Sequence, residues 1–208
     1  MKKIIFILFF FVTILSFGQI FEGKVIYNNT FKTKDPYYTD QQLSIKLGSK
    51  FEYSIKNGNY KNISNGTIFQ WELYRNEENK IYTKYNNTEK AIWIDASLGS
   101  EEILKTEINK NSTSILGYEC DELILTCKSG IHKYYYNSSV LKSDTSLFSN
   151  QNYSYWYQLM KITNCLALKT IIETNQYTLE SIVTEIIPTK LDLKTFEIPA
   201  GIQTVKRP

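Results

Sequence analysis

The chain has 208 residues, with 24 lysines and arginines against 21 aspartates and glutamates and a single histidine. A net charge of +3 with scattered basic residues excludes a nucleic-acid binder, which gathers its basic excess into a patch. Sixteen tyrosines, eleven phenylalanines and three tryptophans, beside many Thr, Ile and Asn, favour strands over helices, and the length suits one domain.

The chain opens with Lys2 and Lys3, an apolar run over residues 4–15, and the small residues Ser16 and Gly18 before Gln19. This pattern predicts a secretory leader, residues 1–18, cleaved to leave one exported domain, 19–208, in the periplasm or outside the cell. The alternative is a membrane anchor, but the run is about a dozen residues against the roughly 20 of a spanning helix. No later apolar stretch is long enough to span either. The leader carries two lysines and no acid, so its removal lowers the net charge from +3 to +1.

Alternation then takes over. Phe21, Gly23, Val25 and Tyr27 share one strand face, and so do Phe51, Tyr53 and Ile55. In the next strand Phe69, Trp71 and Leu73 are expected on the dry face, with Gln70 and Glu72 in water. Turn signals separate the strands: Leu47-Gly48-Ser49, Asn57-Gly58-Asn59, Asn65-Gly66, Glu77-Glu78-Asn79 and Asn86-Asn87. Further strands are expected near 91–95 and 102–109. The pattern is an antiparallel meander with one dry and one wet face.

Residues 118–126 and 131–136 form a hairpin about Lys128-Ser129-Gly130. Leu123, Leu125 and Cys127 share its dry face, and Tyr118, Cys120, Glu122 and Ile124 the other. Cys120 and Cys127 are seven residues apart on one extended strand, over ~20 Å, so they form neither a disulfide nor a shared metal site. Cys165 opens a strand through Glu173 and lies with Lys169 and Glu173 on its wetter face. If the two strands are neighbours, Cys120–Cys165 is the bridge that needs no change of face; the alternative is three reduced cysteines.

Between these strands, residues 138–164 lose the alternation and read as a lid. Tyr153, Trp156, Tyr157 and Met160 follow an i, i+3, i+4, i+7 stripe, which predicts a short helix over 153–160. A last long strand covers 177–187 and stops at Pro188. Phe196 and Ile198 read as a final edge segment.

Several stretches carry a resemblance: Phe-Gly-Gln at the leader's end, FEGKVIY, ILGYECDELIL, CLALKTI, EIIPTKLD and FEIP. Together they resemble the small exported bacteroidete proteins of the GLPGLI family and its close relatives, over nearly all of the mature chain. The literal Gly-Leu-Pro-Gly-Leu-Ile is absent, and 163–168 stand in its place, which points to a sister family. The resemblance implies a LolA/LolB-like fold, a mainly β, strongly curved open half-barrel with a helical or looped lid. It implies no enzyme activity.

Three functions follow. The first is a non-enzymatic envelope protein holding a lipid or acyl chain under the lid, with a lining of Phe51, Tyr53, Phe69, Trp71, Trp93, Leu123, Leu125, Trp156 and Tyr157. The alternative for each residue is plain core. The second is a module for an envelope protein partner, docking through surface tyrosines such as Tyr134, Tyr135 and Tyr136. The third, an enzyme, finds no support: His132 is a lone strand histidine, and no nucleophile elbow, phosphate loop, metal cluster or cofactor motif is present.

Overall fold

The computed structural model describes residues 20–99 and 102–207, so the predicted leader lies outside the described residues. Twelve strands form one sheet. They are β1 (Gly23–Thr33), β2 (Lys50–Lys56), β3 (Asn59–Ser64), β4 (Phe69–Arg75), β5 (Lys80–Tyr85) and β6 (Ala91–Asp95) in the first half. The second half holds β7 (Ile103–Ile115), β8 (Tyr118–Cys127), β9 (Gly130–Tyr136), β10 (Lys169–Glu173), β11 (Tyr177–Pro188) and β12 (Thr204–Lys206). Their order is β12-β6-β5-β4-β3-β2-β1-β11-β10-β9-β8-β7, antiparallel except for the β12–β6 pair. The edge strands β12 and β7 do not meet, so the sheet is open.

The sheet is also strongly curved. Tyr60 on β3 and Tyr134 on β9 are five inter-strand steps apart. On a flat sheet that is about 24 Å, yet both side chains line one cavity. Sequence-local turns hold the meander in register. At the β2–β3 hairpin Asn57 (φ 48°) and Gly58 (φ 75°) both take the left-handed backbone that a two-residue turn demands.

Among the described residues two helices join the sheet. Helix α1 (Asp40–Leu47) has no buried residue and departs from the expected pattern, because Leu43, Ile45 and Leu47 alternate like a strand. Its start is a capping box: the Gln42 N–H donates to Thr39 Oγ1 at 3.1 Å, and the Thr39 N–H donates to Gln42 Oε1 at 2.9 Å. Helix α2 (Trp156–Thr163) sits in the lid. It begins three residues later than the stripe predicts, because Ser154 and Tyr155 take left-handed backbone at its entrance. The helix buries Leu159, Met160 and Thr163.

The lid crosses the inner face and is tied at both flanks. The backbone N–H groups of Asn152 and Tyr153 donate to Ala96 O just beyond β6, and Leu168 N–H donates to Tyr135 O on β9. The main core lies between lid and sheet and includes Tyr74, Leu123, Leu125, Phe148 and Met160. A second, smaller core covers the outer face, where Trp71, Leu73 and Tyr82 pack beneath Leu191 and Phe196.

Three expectations are corrected. Among the described residues no disulfide forms: Cys120, Cys127 and Cys165 are buried thiols. Strand β9 is threaded between β8 and β10, and β10 starts at Lys169, leaving Cys165 in a single bridge to Lys142. Burial pushes the Cys165 thiol up to about 12. Phe196 is no edge strand: it ends a 3₁₀ turn (Leu193–Phe196) capping the outer core, and the edge is β12. Tyr134 and Tyr136 are buried, and Tyr135 is half-buried, its hydroxyl donating to Glu122 at 2.8 Å, so these tyrosines make no docking surface.

Candidate functional site

Register places the site. Directly paired residues of neighbouring strands share a face. One such row runs Val25, Tyr53, Asn62, Glu72, Thr83 across β1 to β5. The next row runs Ile55, Tyr60, Tyr74, Ile81. Both rows face the lid, and a cavity of about 230 Å³ remains between them and α2. Its walls include Tyr27, Phe51, Tyr53, Tyr60, Trp156 and Leu166, with Asn62 and Glu72 among them. A second chamber of about 250 Å³ shares Glu72 and Tyr153 with the first and adds Phe69, Tyr85, Ile92 and Arg207.

The aromatic wall is a continuous stack. The Tyr53 and Tyr60 rings lie 5.1 Å apart, Tyr60 and Trp156 4.9 Å, and Tyr53 and Trp156 6.0 Å. Phe148 closes on the far side of Trp156 at 5.9 Å. Each such pair adds about 0.5–1.5 kcal/mol beyond its buried area, so Trp156 is pinned to the sheet by several contacts at once.

The polar groups of this wall are under-supplied. Tyr60 Oη accepts from Gln151 Nε2 at 2.9 Å and lies 3.4 Å from Glu72 Oε1, to which it donates. Tyr53 Oη, Asn62 Oδ1, Gln151 Oε1 and Trp156 Nε1 are buried without a hydrogen-bond partner among the described residues. Glu72 forms no ion pair among the described residues. Burial pushes its carboxyl up to about 7, the Tyr60 hydrogen bond pulling weakly the other way. Burial likewise raises the Tyr53 and Tyr60 phenols. Three of the unpartnered atoms, on Tyr53, Asn62 and Trp156, belong to residues that line the first chamber. Buried polar atoms are ordinarily paired, so three orphans on one wall mark the cavity as built to meet a guest. Among the described residues no group of three or more His, Cys, Asp or Glu side chains is placed to hold a metal ion.

Of the expected lining, Phe51, Tyr53 and Trp156 face the first chamber and Phe69 the second. Trp71 lies on the opposite face of the sheet in the outer core, with Trp93 packed against it. The cause is a bulge between Phe69 and Trp71 on β4, which leaves Phe69 with Glu72 inside and turns Trp71 and Leu73 out. Leu123 and Leu125 are fully buried core, and Tyr157 is half-buried outside both chambers. His132 packs its ring edge-on against Tyr155 at 5.0 Å. Sequence reasoning misses Glu72, Asn62 and Tyr60, because polar residues in an alternating strand read as its wet face.

No family model matches the chain, and no curated protein matches it. Solved structures do. An uncharacterized conserved protein from Thermus thermophilus is similar over 88% of this chain and 90% of its own, at 9% identity and a TM-score of 0.46. PNGF-II is similar over 88% of this chain but 31% of its own, at 14% identity and a TM-score of 0.45. A LolA superfamily protein, NE2245 from Nitrosomonas europaea, is similar over 85% of this chain and 91% of its own, at 13% identity and a TM-score of 0.35. All three scores fall below 0.5, and the chemistry of the site rests on this chain's own residues.

Proposed function

We propose that this is an exported, non-catalytic binding protein of the cell envelope that holds the apolar part of a lipid or other amphiphile between its open sheet and its lid. One observation carries this: an aromatic cavity under α2 whose wall keeps three buried polar atoms, on Tyr53, Asn62 and Trp156, without a partner among the described residues. A concave, mostly apolar hollow with a few convergent polar groups is the usual form of a small-molecule site. Apolar burial at about 25 cal/mol per Å² drives uptake. No helix among the described residues is long and apolar enough to cross a membrane.

The test is to express residues 19–208, purify without detergent, and analyse an organic extract by mass spectrometry. A near-stoichiometric amphiphile, or saturable uptake of an added decyl-chain amphiphile, supports the proposal. An empty protein that takes up no such compound overturns it, and retention of an envelope protein instead would favour the interaction module.

A further inference from the structure

The cavity also speaks about the head group of its guest, an inference that rests on the binding proposal above. Glu72 is shared by both chambers and so stands at their junction. Among the described residues its one hydrogen bond is the long one from Tyr60, whose oxygen already accepts from Gln151. The unpaired valences around it are unequal. On the wall Asn62 Oδ1 is an orphan acceptor, the Glu72 carboxylate is barely used, and the orphan Tyr53 hydroxyl can accept as well as donate, whereas Trp156 Nε1 is the one orphan that only donates. A guest that brings donors satisfies more of this wall than one that brings acceptors.

Charge decides between head groups. An anionic head placed beside Glu72 would set two like charges in an apolar enclosure, where repulsion is weakly screened. The cation on the chamber wall is Arg207, but it is exposed, so water screens its pull on an anion. The other titratable groups facing the two chambers are the phenols of Tyr27, Tyr53, Tyr60, Tyr85, Tyr134 and Tyr153, none of which supplies positive charge.

We propose that the cavity selects an amphiphile with a protonated amine head, seating the ammonium against the Glu72 carboxylate and the chain beneath Trp156 and Phe51. The ammonium brings three donors to a wall rich in unused acceptors and supplies the counter-charge that Glu72 lacks among the described residues.

The test compares decylamine, decanol and decanoate, each below its micelle concentration, at pH 8, read by Trp fluorescence and calorimetry on residues 19–208. Hydrogen bonds to charged groups are worth enough to make the amine bind roughly 10- to 100-fold more tightly than the carboxylate, with the alcohol between. Glu72→Gln, checked for an intact thermal transition, should remove the amine's advantage and leave the alcohol within about 3-fold of wild type. Equal binding of all three by wild type, or a preference for decanoate, overturns the head-group assignment while the binding proposal stands. Binding of none of them removes the binding proposal itself. The wild-type ranking is decisive even if the variant does not fold.

Discussion

Glu72→Gln offers a test that needs no ligand. The carboxyl is pushed from 4.5 to about 7 by burial. The folded protein therefore holds this proton more tightly than the unfolded chain does. Below pH 4.5 both states are protonated and nothing is lost. Between 4.5 and about 7 folding keeps a proton that the unfolded chain releases, so stability falls as pH rises, and above 7 the loss is complete. At 1.36 kcal/mol per unit the full loss is about 3 kcal/mol. For a domain of this size that is roughly 6–12 °C in Tm. Gln keeps the shape and cannot ionise, so the variant should match wild type at pH 4.5 and exceed it by about 2–3 kcal/mol at pH 8. Glu22, Glu78, Asp95, Asp121 and Glu122 are held below their ordinary values, so their contributions are made at lower pH and cancel in the difference. Urea unfolding of both proteins from pH 4.5 to 8.5 measures it. Parallel curves would refute the buried, unpaired carboxyl.

Three further outcomes follow. Tyr53→Phe removes a buried hydroxyl that has no partner among the described residues, so the ligand-free protein should keep or gain stability, by up to about 1–2 kcal/mol in urea; a loss above ~1 kcal/mol would show the hydroxyl already satisfied. Trp71→Ala empties the outer core and should cost about 3–5 kcal/mol, yet leave decylamine affinity of the folded protein unchanged; a matching collapse of affinity would put Trp71 back in the site. The three cysteines should stay unreactive to a thiol reagent in the native protein, become fully reactive in denaturant, and leave the melting point indifferent to reductant; a reductant-sensitive transition would restore the Cys120–Cys165 bridge.

Much of the sheet is readable from alternation and turn chemistry, since both are local. Strands β2, β8 and β9 and their turns lie where the period of two puts them. The lid is readable as the place where the period fails. The reversals are non-local. β4 is dry on both faces because residues some 120 positions later, Leu191 and Phe196, cover its outer side, and no window around Trp71 carries that information. The bulge that turns Trp71 outward is a ladder irregularity with β5 and leaves no periodic mark. The apolar spacing of helix α1 hides it, although Thr39 and Gln42 carry a legible capping box. At the site, Phe51, Tyr53 and Trp156 are recognisable as aromatics on a dry face. Glu72 and Asn62 are not, because only the cross-strand register shows that these polar residues sit beside Tyr53 in one inward row.

The most direct measurement asks where the guest's tail lies. Replace Trp71 and Trp93 by Phe, so that Trp156 is the only one of the three tryptophans left to emit, and titrate with a decylamine brominated along its chain, whose bromine quenches on contact. The lid-roofed cavity requires saturable quenching of Trp156, and no comparable quenching in a protein retaining Trp71 alone. Binding detected by calorimetry with Trp156 emission unchanged, or equal quenching of Trp71, would contradict it.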